Sequence, residues 1–128
     1  MTYDLEQHKR VVKEFVELAF NEGEPQRAVD LYVGSRYVQH YPGERDGVEA
    51  FVEFVGKQVA DGQQVHHDIR RLIAEEDMVA AHSLVTRSPD DLGIAVADYF
   101  RLEDNRIVEH WAVFQPVPES AANDNGMV

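Results

Sequence analysis

Asp98 and His110 are the two residues of this 128-residue chain whose types and setting point most directly to chemistry. They lie in Ile94 to Gln115, IAVADYFRLEDNRIVEHWAVFQ, where two apolar, β-rich runs flank Glu103-Asp104-Asn105. That pattern predicts a β-hairpin turning at Asp104-Asn105. Successive strand residues point to opposite faces, so Asp98 shares a face with Phe100 and Leu102, and His110 shares one with Ala112 and Phe114. Trp111, Val113 and Gln115 point the other way. An ionisable group in an apolar strand costs free energy unless something hydrogen-bonds to it. Desolvation favours the neutral form of a carboxylate, the condition for a base that takes an α-proton near neutral pH. Asp98 is therefore the expected catalytic base. The alternative is an aspartate that satisfies a backbone N–H or pairs with a histidine.

Two more histidines join the candidate catalytic set. His40 follows Gln39 just before the Pro42-Gly43 break, at an element end where a side chain can enter a cavity mouth. It is expected to orient Asp98 or to carry protons. His82, in the strand-like MVAAHSLVT, shares a face with Ala80 and Leu84. A single strand histidine is more often a hydrogen-bonded core residue, but His82 and His110 together suggest a shared polar pocket. Tyr37, Gln39, Phe100, Phe114 and Trp111 are the expected substrate-binding residues, with Trp111 alternatively a core or dimer-interface residue.

Other chemistries find less support. His66 and His67 are strand neighbours facing opposite ways, and His66 with Asp68 supplies only two ligands, so no metal site is expected. Ser83 and Ser88 lack the strand–turn–helix setting of a nucleophile elbow. Gly43 and Gly47 precede no phosphate-loop lysine. Cysteine is absent, which excludes disulfides, thiolate zinc sites and a cysteine nucleophile. A net charge of −12 opposes binding to nucleic acid or to an anionic membrane surface and favours solubility. The N-terminal MTYDLEQHKR has no apolar core of a signal peptide, and no run is long enough to span a membrane, so the expected location is the cytoplasm.

The elements that must position these residues can be read in chain order. Leu5, Val11, Val12, Phe15, Val16, Leu18 and Ala19 recur at helical spacing, predicting an amphipathic helix over Asp4 to Asn21. Gly23-Glu24-Pro25 stops it and starts a short helix, Gln26 to Tyr32. Tyr37 to Tyr41 reads as extended. Asp46 and Glu49 have the spacing of a capping box, opening a helix that Gly62 ends. Val65 to Ala74 and Met78 to Arg87 then read as strands ahead of the Asp98–His110 hairpin. Helices followed by four consecutive antiparallel strands imply an α+β domain, helices on one side of a curved sheet, with a natural cavity between them. The domain is expected over residues 1–118, with a polar tail at 119–128.

Three segments together resemble a known family. They are Tyr37-Val38-Gln39-His40-Tyr41-Pro42 with Asp46-Gly47, then Asp98-Tyr99-Phe100-Arg101, then Ile107-Val108-Glu109-His110-Trp111 running to Gln115-Pro116-Val117-Pro118. The arrangement resembles the SnoaL-like polyketide cyclase branch of the nuclear transport factor 2-like superfamily, over nearly the whole chain. The resemblance implies a cone-shaped fold: N-terminal helices closing a strongly curved antiparallel sheet, a deep pocket, and homodimerisation through the sheet. It also implies acid–base enolisation of a ketone and ring closure, without metal or cofactor. One departure stands out. Many such relatives carry Asp directly after the His-Trp pair, where this chain has Ala112. Either Asp98 serves instead or the chemistry is lost. The expected function is thus a cofactor-free cyclase or isomerase acting on a small hydrophobic carbonyl compound. A non-catalytic binding module for an apolar ligand and a dimerisation domain are the alternatives.

Overall fold

The computed structural model describes residues 2–128. Helix α1, Leu5–Val16, begins where Asp4 caps it, the carboxylate accepting the Gln7 N–H at 3.0 Å and satisfying one orphan donor of the first turn. Its stripe of His8, Val11, Val12, Phe15 and Val16 is buried. His8 is accommodated there because its Nδ1 donates to the Glu76 carbonyl at 3.1 Å. The sequence predicts one even helix to Asn21. The structure instead widens the last turn into a π-helix, Glu17–Asn21, with the Glu22 N–H on the Glu17 carbonyl at 2.9 Å. Helix α2 follows at Pro25–Tyr32, proline sitting in the first turn where its missing N–H costs nothing.

Strand β1, Val33–Gln39, leads through a loop into helix α3, Val48–Ala60. The expected capping box does not form. Gly47, at φ 95°, is the residue before the helix and no side chain caps it. The Asp46 carboxylate is engaged elsewhere, accepting the Gln39 N–H at 2.8 Å and so closing the loop on itself. Gly62, at φ 75°, adopts the left-handed conformation that ends α3, as the sequence anticipates.

Strands β2 (His66–Glu75), β3 (Met78–Thr86), β4 (Ile94–Glu103) and β5 (Arg106–Pro116) pair antiparallel in succession. The β4–β5 turn is at Asp104 and Asn105, both with positive φ (51° and 62°), the mirror-image turn that suits strand twist. Spatial order is β1-β5-β4-β3-β2. The sheet is therefore mixed rather than wholly antiparallel, because β1 adds to the β5 edge in parallel. Register shifts between Ile69 and Arg71 and between Arg101 and Leu102 bend the sheet locally.

The three helices cover one face of the sheet. Phe15 on α1 stacks on Phe51 of α3 at 5.3 Å and meets Phe100 of β4 edge-on at 6.2 Å. Val79, Ala81, Leu102 and Ile107 complete the sheet's side of this core. The other face has no helix over it and leaves Ile73 and Val113 about two-thirds exposed (65% and 66%). After Pro116 the chain forms no further helix or strand. Among the described residues, no helix is long and apolar enough to cross a membrane.

Candidate active site

Residues directly opposite each other in an antiparallel ladder project from the same face. The register pairs Asp98 with Ala112 on one side and Ala81 on the other, and pairs Phe100 with His110. All of them project toward the helices, as the two-residue period predicts. Between this face and α1 and α3 lies a cavity of about 200 Å³. Its walls are mostly apolar: Phe15, Val16 and Phe20 from the helical end, Phe51 and Phe54 from α3, Val96, Phe100, Ala112 and Phe114 from the sheet.

Within it the Asp98 carboxylate and the His110 ring are both buried, with Asp98 Oδ1 and His110 Nε2 2.8 Å apart. The opposite ring nitrogen, His110 Nδ1, is 2.8 Å from Gln39 Oε1. That amide oxygen also accepts the Tyr41 N–H at 3.0 Å, while Gln39 Nε2 donates to the Tyr37 hydroxyl at 3.3 Å. Gln39 therefore presents an acceptor, so Nδ1 of His110 carries hydrogen and donates. Nε2, on the other side of the ring, faces Asp98 Oδ1. A chain of side chains thus runs Tyr37–Gln39–His110–Asp98, with the free carboxylate oxygen of Asp98 left for a ligand.

Two titratable groups in the same cavity are strongly displaced. Burial holds Glu44, in the loop between β1 and α3, up at about 7, with Asp98 pushing the same way and His110 opposing. Burial lowers His67 on β2 to about 4, against a smaller opposing pull from Asp98. His67 stacks on Phe20 at 4.0 Å, and Asn21 fixes its backbone by donating to its carbonyl (3.0 Å) and accepting its N–H (2.7 Å). Burial also pushes the Tyr37 phenol well above its ordinary value. Three buried side-chain atoms have no hydrogen-bond partner among the described residues: Glu44 Oε1, Gln58 Oε1 and His67 Nδ1. All three belong to residues lining this one cavity. Buried polar atoms are rarely left unpaired, so these three are positions that an ordered water or a polar ligand group would satisfy.

Of the residues expected from the sequence, Asp98, His110, Tyr37, Phe100 and Phe114 line the cavity, and Gln39 supports it from β1. His40 does not join them. It is the residue after Gln39, whose side chain turns toward His110, and alternation sends His40 outward. There its Nε2 is 2.7 Å from Glu109 Oε2 and its ring stacks flat on Trp111 at 4.7 Å. Trp111 is accordingly on the outer face, opposite Tyr99. His82 is likewise outward, opposite Ala97, and accepts from Arg71 Nη1. His66 and Asp68 pair with Thr86 and Leu84 on the outer side, while His67 turns inward. No group of three or more His, Cys, Asp or Glu residues converges to hold a metal ion among the described residues.

Glu44, Gln58 and the inward role of His67 are what sequence reasoning missed. For His67 the alternation along His66-His67-Asp68-Ile69 carried the information, since Ile69 is part of the core side. Glu44 sits in an irregular loop where no period applies.

The relation to known proteins agrees with this geometry. No curated protein sequence matches the chain significantly. TsrD from Streptomyces laurentii superposes with a TM-score of 0.72 at 19% identity, covering 88% of this chain and 91% of that one. A proposed polyketide cyclase from Acidithiobacillus ferrooxidans gives 0.70 at 22% identity, covering 89% and 91%. A proposed ketosteroid isomerase from Kribbella flavida gives 0.72 at 14% identity, covering 96% and 86%. At these identities the likeness is one of fold. The family model for the SnoaL-like domain matches residues 12–110. Helices closing a five-stranded sheet over a cavity that holds Asp98 and His110 are how this sequence builds that domain, and the chain belongs to the SnoaL-like family, on the nuclear transport factor 2-like fold.

Proposed function

We propose that the protein is a cofactor-free acid–base enzyme of the cyclase or isomerase type, enolising a small hydrophobic carbonyl compound. The observation that carries this reading is the Asp98–His110 pair, 2.8 Å apart and buried at the sheet side of an otherwise apolar cavity. Asp98 lies directly across the strand pair from Ala112. Directly opposed side chains stand about 5 Å apart, so Asp98 supplies a carboxylate to nearly the place where relatives carry one after His-Trp. In the proposed step the α-carbon's C–H bond breaks and its proton passes to the free oxygen of Asp98. The electron pair becomes the C=C bond of an enolate, and His110 holds the carboxylate in place. The names given to the polyketide cyclase and ketosteroid isomerase neighbours support the same class of chemistry.

Nuclear magnetic resonance of cyclic and aromatic ketones in D2O tests this directly, with wild type beside Asp98→Asn. Loss of α-proton signal that depends on Asp98 is the expected result. Ligand line broadening without exchange would instead favour the second reading, a binding module for an apolar ligand, for which Ala112 is the motivating residue. The proposal includes a second copy of the chain on the uncovered sheet face, where Ile73, Tyr99 and Val113 are exposed beside Trp111. It also includes a cytoplasmic location.

A further inference from the structure

We propose that Glu44 is a second catalytic residue of this cavity, the proton donor to the carbonyl oxygen while Asp98 takes the α-proton. This rests on the enolisation reading above and assigns the half of the chemistry that the Asp98–His110 pair leaves unserved. Glu44 reaches the cavity from the loop between β1 and α3, not from the sheet. Its Oε1 is buried and unpartnered, and no cation bridges its carboxylate among the described residues. The neighbouring Arg45 is engaged with Glu53 at 2.9 Å, away from it.

The loop holds Glu44 in place. Asp46 accepts the Gln39 N–H at 2.8 Å, the Glu44 N–H donates to the Tyr41 carbonyl at 3.2 Å, and the Tyr41 N–H donates to Gln39 Oε1 at 3.0 Å. Gln39 is the same residue that accepts from His110. One amide therefore ties the base and the Glu44 loop together, fixing both ends of the reaction from a single point.

Chemically the two carboxyls are suited to opposite tasks. Asp98 has a histidine nitrogen 2.8 Å from one oxygen, whereas no cationic side chain bridges Glu44 and its Oε1 has no partner among the described residues. Burial raises Glu44 to about 7, with Asp98 pushing the same way against the opposing pull of His110 and Gln39, so Glu44 holds a proton below about pH 7. A protonated carboxyl is an O–H donor aimed at whatever fills the cavity. As the α-carbon's C–H bond breaks and its proton moves to Asp98, the electron pair forms C=C and the carbonyl oxygen takes the Glu44 proton. The products are a neutral enol, a protonated Asp98 and an ionised Glu44. The reverse step restores both. The substrate end that fits between them is a ketone, its oxygen accepting from the Glu44 O–H and its α-carbon facing Asp98.

The titratable and charged groups sharing the cavity with Glu44 are Tyr37 and Tyr41 on its own side, His67 on β2, Arg87 after β3, Asp98 on β4 and His110 on β5. Exchange of the α-protons of α-tetralone in D2O, followed against pH, separates their roles. Wild type should lose rate above pH about 7 as Glu44 ionises. Glu44→Gln should lower the rate near pH 6 by about a hundredfold and abolish that alkaline fall. Superimposable profiles for wild type and Glu44→Gln, with Asp98→Asn inactive, would overturn the role of Glu44 and leave the enolisation reading standing. Absence of exchange in wild type would remove both. Carbon-13 titration of the glutamate carboxyls in unaltered protein gives a second readout that needs no substrate and no variant. One resonance with a midpoint near 7 supports the assignment, and midpoints all within the ordinary glutamate range overturn it.

Discussion

Protonation of His67 should cost this protein stability in acid, and the size of that one contribution can be worked out. Burial beside Phe20 takes the His67 ring from 6.5 to about 4 in the folded protein. Between those values the unfolded chain binds the proton and the folded chain does not. The stabilisation is therefore complete above pH 6.5 and is lost as pH falls toward about 4. At about 1.4 kcal/mol per pH unit the full loss is about 3 kcal/mol, a large part of a typical domain's stability of about 5–15 kcal/mol. Glu44 runs in the opposite sense. Its folded value of about 7 lies above the ordinary 4.5, so its contribution is present below that lower value and is lost as pH rises through about 7. The two slopes are similar in size and opposite in sign, so they largely cancel in wild type between about pH 4.5 and 6.5. Urea unfolding at pH about 7 down to about 4 should thus compare wild type with His67→Phe, which keeps a ring stacked on Phe20 and cannot titrate. The difference in unfolding free energy between the two should change by up to about 1.4 kcal/mol per pH unit across the window. A difference that stays flat within about 0.5 kcal/mol would show that His67 takes up its proton as easily folded as unfolded. It would refute the reasoning from burial.

Two more outcomes follow from named contacts. Gln39→Leu removes the acceptor from His110 Nδ1, and with it the fixed placement of the ring proton. The α-proton exchange rate should fall about ten- to a hundredfold with the circular dichroism unchanged, corresponding to loss of one buried hydrogen bond of about 1–3 kcal/mol. An unchanged rate would mean that Asp98 alone orients the ring. Val113→Lys puts a charge on the uncovered face of the sheet, and sedimentation velocity should show wild type at twice the mass of the variant. A wild type that already sediments as a monomer would eliminate the paired-sheet arrangement.

Much of the architecture was legible because its determinants are periodic. The alternation along Ile94 to Gln115 assigned Asp98 and His110 to one face, and the Asp104-Asn105 turn set the register that brings them together. The same alternation placed Trp111 outward. His40 failed because it lies one residue beyond the last residue of β1, where knowing that a side chain is near a cavity mouth does not say on which side of the sheet it emerges. His82 failed for a different reason. Its own strand gave the correct neighbours, Ala80 and Leu84, but nothing local says which face of a strand meets the helices. Asp46 had the spacing of a cap, and the Gln39 N–H, seven residues earlier, took its carboxylate instead. Glu44 was beyond reach, since its environment is made by residues from β4 and β5 that only the finished sheet brings near.

The parallel edge strand has a consequence for the order in which the site can assemble. The Asp98–His110 contact spans 12 residues and is internal to one hairpin. The His110–Gln39 contact spans 71 residues and exists only once β1 has docked on β5. Closing the longer loop costs about 1.5 kcal/mol more in chain entropy than closing the shorter one. Asp98 and His110 can therefore meet early, within a local hairpin, while the Gln39 amide that accepts from His110 and anchors the Glu44 loop arrives with the most distant pairing in the sheet. On the proposed reading, catalytic competence is in this way made conditional on completion of the fold: a chain that has formed its hairpin but not its last edge holds Asp98 and His110 together without the amide that orients the ring.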